Sequence, residues 1–242
     1  MARLRFHQAT FDLLQLAPLP SESNRRLLEV EASAAGLSLP AAAVEWFSLE
    51  NGISLLNRPG STGEALSIKK LTASIQSLHG IRKPRLVFLR EKQGHRVWAF
   101  DLVQEANPPV LVRLLDTDGR ESWRTAADRF SDFVFGWIWD HPSGGYTARA
   151  QLNCSLKQIR RLTAGLVEHP TGRAWPSHKT FRLQKGQARI RIHYQPEAWS
   201  DVVIWSPDLG DLRATIAHAS NSGLSRKAFF SSQPAVGRLL TE

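Results

Sequence analysis

The stretch LLEVEASAAGLSLPAAAVEWFSLENG, residues 27–52, carries the reading of the fold. It holds two helical patterns joined by a turn. The first, over 24–36, sets Leu27, Val30 and Ala34 on one face, with Ser21 or Ser23 as a cap and Gly36 as the residue that leaves the helix. Leu37–Pro40 turns the chain, Pro40 sits near the first turn of a second helix, and Asn51-Gly52 ends it. Ile53–Leu56 predicts a short strand and residues 58–63 (RPGSTG) a loop.

Reading outward, RLVFLR (85–90) and RVWAFDL (96–102) predict two strands joined by a short loop containing Gly94. Val110–Leu115 predicts a third, ending in the turn Asp116–Gly119. Asp128 is positioned to cap a helix running through FSDFVFGWIWD, in which Phe130, Phe133, Val134, Trp137 and Ile138 fall at i, i+3, i+4, i+7 and i+8. These elements predict an α+β unit over residues 1–140 with Trp46, Phe47, Val87, Leu89, Trp98, Phe100, Phe133 and Trp137 in its core. Trp139 lies off the main face of the last helix, next to Asp140. From there it packs against a second unit or, with Asp140, contacts a partner.

Residues 20–140 resemble the SUKH superfamily of bacterial immunity proteins. The likeness rests on Leu28-Glu29, the Gly36–Pro40 turn, Trp46-Phe47, Asn51-Gly52, the hairpin LVFLREKQGHRVWAFDL and the late aromatic helix. It implies an α+β fold with a mixed or antiparallel sheet flanked by helices. It further implies a cytoplasmic protein that binds and neutralises a cognate interbacterial toxin, typically a nuclease, with no catalytic centre.

HPSGGY (141–146) marks a boundary, and residues 146–242 predict a smaller, basic α+β unit that the resemblance does not reach. Ser155 is placed to cap a helix to about Val167, with Leu156, Ile159 and Leu166 on one side. Residues 180–185 and 188–194 predict a hairpin, Val202–Trp205 a strand, and Ser206-Pro207-Asp208 the start of a helix to about Ala219. With Lys185-Gly186 as a two-residue loop, Arg182 faces Arg189 and Thr180 faces Arg191. Arg182, Arg189, Arg191 and His193 then share one face, and Phe181, Leu183, Ile190 and Ile192 the other.

The formal charge of +9 is unevenly spread. Residues 1–140 hold 17 basic and 16 acidic side chains; residues 141–242 hold 14 and 6. A basic second half raises an alternative, nucleic-acid binding, with Trp175, Trp199 and Trp205 as stacking groups. The arginine stripe is thus the candidate partner-binding surface, for an acidic protein or for nucleic acid.

The chain's chemistry-bearing residues form no known constellation. One cysteine, Cys154, leaves no intramolecular disulfide or multi-thiolate site. The eight histidines are not paired at ligand spacing, and no nucleotide-binding or nucleophile motif is present. No apolar run is long enough to cross a membrane, and no secretory signal is visible. The expectation is a binding protein without metal, cofactor or catalytic residues.

Overall fold

The computed structural model describes residues 3–58, 61–73, 85–115, 121–175, 178–195 and 199–241; the Asp116–Gly119 turn lies outside them. The chain divides into two units, Met1–His141 and Pro142–Glu242, each an α+β arrangement built on one antiparallel sheet.

The first unit opens with α1 (Gln8–Leu14) and α2 (Glu22–Ala34). Ser21 caps α2 by accepting the Asn24 N–H, and Gly36, at φ 64°, closes it as the Leu37 N–H returns to the Ala32 carbonyl. The buried side of α2 is Leu28 and Ala32, one turn apart, whereas Val30 is 64 % exposed and Ala34 is also exposed. This corrects the expected face: Leu28 and Ala32 form an i, i+4 pair that the equally apolar Leu27–Val30–Ala34 pattern masks.

Helix α3 (Ala41–Phe47) buries Ala42, Ala43, Trp46 and Phe47 and ends at Ser48, before Asn51-Gly52. Gly52 instead begins α4 (Gly52–Leu56), so the segment expected as a strand is helical. Neither Asn51 nor Gly52 has a positive φ. The glycine is required by proximity, since a Cβ there would run into the Trp46 carbonyl.

Five strands follow in simple order: β1 (Gly63–Ala65), β2 (Arg85–Glu91), β3 (Arg96–Asp101), β4 (Val110–Leu115) and β5 (Glu121–Ala127), with α5 (Ile68–Ala73) between β1 and β2. Val87 pairs with Ala99 and Leu89 with Trp98, leaving Phe88 as the extra residue of a bulge. The unpaired Phe88 enters the aromatic core, with ring centroids 5.1 Å from Phe130 and 5.7 Å from Phe100.

Helix α6 (Phe130–Asp140) adds Phe130, Phe133 and Trp137 to that core. Its N-cap is Arg129 rather than Asp128; the Arg129 guanidinium meets Asp132 in the first turn at 2.8 Å. All eight residues expected in the core are buried. Trp137 lies 5.2 Å from Trp98 and 5.7 Å from Phe133, centroid to centroid, and its indole N–H donates to the Leu56 carbonyl.

The second unit comprises β6 (Tyr146–Leu152), α7 (Leu156–Thr163), β7 (Val167–Trp175), β8 (His178–Lys185), β9 (Ala188–Tyr194), β10 (Ser200–Ser206), α8 (Leu209–Asn221), a 3₁₀ turn, β11 (Phe229–Phe230) and α9 (Pro234–Thr241). The sheet runs β11-β6-β10-β9-β8-β7, every pair antiparallel. Ser155 and Gln158 form a full capping box on α7. Ile159 and Leu162 are its buried residues, while Leu156 is 44 % exposed. Asp208, not Ser206, caps α8 by accepting the Asp211 N–H.

One core lies between sheet and helices. Ala148, Ala150, Leu183, Ile190, Ile192, Val202, Ile204 and Phe229 meet Ile159, Leu162, Leu212, Ile216, Val236 and Leu239. All three helices of this unit therefore feed the same face of its sheet. No described helix is long and apolar enough to cross a membrane.

Candidate interaction face

Strand alternation sends the remaining side chains to the opposite face. Pairing aligns them in rows across the sheet. One row reads Phe230, Arg149, Val203, Arg191, Arg182, His169. A second reads Thr147, Trp205, Arg189, Gln184, Val167, and a third Gln151, Asp201, His193, Thr180. Among the described residues, four arginines and one aspartate thus stand on a single surface.

The hairpin register differs from the expected one. Lys185 pairs with Ala188, so the loop is Gly186-Gln187, and Arg182 opposes Arg191 rather than Arg189. Gly186 occupies the first loop position with φ 57°, where a tight hairpin needs a left-handed residue. The shift is two residues along the partner strand, which preserves parity. Arg182, Arg189, Arg191 and His193 consequently still share one face.

Local partners fix much of this surface. The Arg191 guanidinium meets Asp201 at 3.1 Å, and Arg189 lies over the Trp205 ring at 4.8 Å. The Trp205 indole N–H donates to the Gly144 carbonyl. His193 Nδ1 and Thr180 Oγ1 are 2.9 Å apart, as are His169 Nε2 and Gln184 Oε1. Burial lowers the His169 pKa, opposed by the Gln184 hydrogen bond and assisted by Arg189.

Accessibility divides the stripe. Arg182 is only 6 % exposed and Thr180 is fully buried, whereas Arg189, Arg191 and His193 are half-buried. Arg182 therefore belongs to the packed part of the unit. Toward the β11 edge, Arg149 and Gln151 are exposed and Phe230 is 55 % exposed. Trp199, immediately ahead of β10, is 67 % exposed. The expectations from sequence did not include Arg149 or Phe230; only the pairing of β6 with β10 and β11 brings them beside the stripe. The Trp175 side chain lies outside those described.

The other candidates lie elsewhere. Trp139 is 2 % exposed with its ring 5.7 Å from Phe135, and Asp140 is half-buried at the end of α6. Cys154 is buried, and burial raises its thiol pKa against an opposing Ser200 hydrogen bond, so its place before α7 does not activate it. Among the described residues no cluster of His, Cys, Asp or Glu is arranged to hold a metal ion. The chain matches no family model, no curated protein and no solved structure.

Proposed function

We propose that this chain is a cytoplasmic immunity protein that binds and neutralises a cognate interbacterial toxin. One observation carries the reading. In the first unit two helices joined through the Gly36–Pro40 turn precede an antiparallel sheet and a closing aromatic helix, the order that the SUKH resemblance implies. Two of the ionisable groups with shifted pKa also favour binding over catalysis. His7 and Cys154 are sealed in packed interiors instead of converging on a cleft.

Neutralisation needs a rigid complementary surface with buried anchors and steering charge, and no reacting side chains. The test is co-expression of the full chain with the effector encoded beside its gene. Rescue of growth, together with co-elution of the two purified proteins, supports the reading. Continued toxicity with the full chain folded and abundant overturns it.

A further inference from the structure

We propose that the β11–β6–β10 end of the second sheet is a binding platform for single-stranded nucleic acid. The inference is independent of toxin binding. It starts from the placement of charge: the second unit holds most of the chain's basic excess, and Arg149 brings an exposed cation to the sheet's helix-free face. In register, Arg149 stands between Phe230 on the edge strand and Val203 on β10. Adjacent strands lie about 4.8 Å apart, so the phenyl ring and the guanidinium are neighbours on one surface.

Aromatic exposure is the second observation. Trp199 at 67 % and Phe230 at 55 % leave more ring in solvent than any aromatic side chain of either core. Trp205 adds an indole already stacked under the Arg189 guanidinium. Arginines that neutralise phosphates, interleaved with rings that take bases, are the two components that sequence-tolerant single-strand binding requires. An acidic protein partner would bury these rings as anchors; the unit's basic excess beside them favours phosphates, and poly-glutamate distinguishes the two. A duplex would meet the arginines but keep its bases stacked inside, away from the rings. Between nucleic acids, the chemistry therefore selects an unpaired strand.

Asp201 does not oppose this. Its carboxylate is held by Arg191 at 3.1 Å, and the exposed Arg149 supplies positive charge toward the β11 edge. Gln151, exposed beside Asp201 in the register, adds amide hydrogen bonding that no particular base demands.

The test uses the full chain and fluorescein-labelled oligo(dT) and oligo(U) of about 20 nucleotides, the length of one or two binding sites of a small fold. Anisotropy is followed from about 50 mM to about 200 mM salt. Binding that weakens steeply with salt is expected. Trp199→Ala and Phe230→Ala should each weaken it at least about fivefold, and Arg149→Ala should lower the salt slope by about 0.7. The charge control is Lys157→Glu with Arg160→Glu and Arg161→Glu on α7, on the helical side of the sheet, which should retain the aromatic dependence. Circular dichroism melts establish that each variant is folded. Preference for oligo(U) or for oligo(dT) assigns the strand to RNA or DNA. The proposal is overturned by no binding at the lowest salt, by equal binding of a duplex of the same length, or by folded Trp199 and Phe230 variants that bind as well as the parent. Binding of poly-glutamate with the same dependence on Arg149 would transfer the surface to an acidic protein and likewise overturn it.

Discussion

The Glu45 carboxylate on α3 holds the main chain at His7: its Oε1 accepts the N–H groups of both Phe6 and His7 at 2.9 Å. Oε2 takes the Arg5 N–H at 2.8 Å. Three successive amides thus converge on one side chain, and through them the segment before α1 is tied to α3. Glu45→Ala should destabilise the first unit by about 2 kcal/mol, because charge-assisted hydrogen bonds are lost together. Faster proteolysis near the N-terminus, relative to cleavage elsewhere, reads out the release of the segment.

His7 itself gives the first unit an acid limit. The ring is fully buried, 4.9 Å from Trp46 and 5.6 Å from Phe130, centroid to centroid. Nε2 contacts the Ala42 carbonyl, which can only accept, so Nε2 carries the proton and Nδ1 stands bare without a partner. Burial lowers its pKa to about 4, against smaller opposing contributions from Ala42 and Glu45. Between about pH 6.5 and pH 4 the unfolded chain binds the extra proton and the folded one does not. The stabilising contribution is therefore full above pH 6.5 and lost as pH falls toward 4, by about 3 kcal/mol in all. Urea midpoints at successive pH values should fall more steeply for the parent than for His7→Phe; parallel curves would refute the assignment.

Trp137 tests the aromatic core. Trp137→Ala should cost about 3–5 kcal/mol by leaving a cavity against Trp98 and Phe133. Trp137→Phe keeps a ring but removes the N–H donated to the Leu56 carbonyl, and should cost clearly less. Thermal or denaturant unfolding followed by Trp fluorescence separates the two.

Gly52→Ala tests a different term. The added methyl meets the main-chain carbonyl of Trp46, so α3 and α4 must separate, at a cost of about 3 kcal/mol. Gly94→Ala, where nothing lies near the added carbon but φ is 80°, should cost only about 1 kcal/mol. A larger loss at Gly94 than at Gly52 would contradict this placement.

On the second sheet, Arg182→Glu should destabilise by about 3 kcal/mol or more, since it places a carboxylate at a nearly inaccessible position facing its neighbours. Arg149→Glu, at an exposed position, should change stability by no more than about 0.5 kcal/mol. Reversal of the whole stripe is thus not a neutral probe of recognition, and denaturant midpoints of the two single variants demonstrate why.

What sequence made legible follows from signal strength. Helix α6 is announced by five large apolar residues at helical spacing, and α7 by Ser155 at its cap. Strand β6 fully buries only two alanines, Ala148 and Ala150, beside Leu152 and the half-buried Tyr146, and the alanines leave little alternation to detect. In β5 most side chains are exposed or half-buried, and Ile53–Leu56 is too short for periodicity to separate helix from strand. The arginine face was legible because parity survives a two-residue shift in register. Its accessible edge was not, because Arg149 and Phe230 become neighbours only through pairing across some eighty positions of chain, about the reach at which local pattern says nothing.

That same pairing sets a timetable for synthesis. Strand β6 lies between β10 and β11, so the first strand of the second unit is flanked by its last two. On one side it waits about fifty residues for β10, and on the other about eighty for β11. The hairpin of β8 and β9 closes early through its two-residue loop, but the sheet cannot be completed until Phe229 and Phe230 arrive. A nascent chain stalled before residue 229 should therefore hold a folded first unit and a protease-sensitive second one.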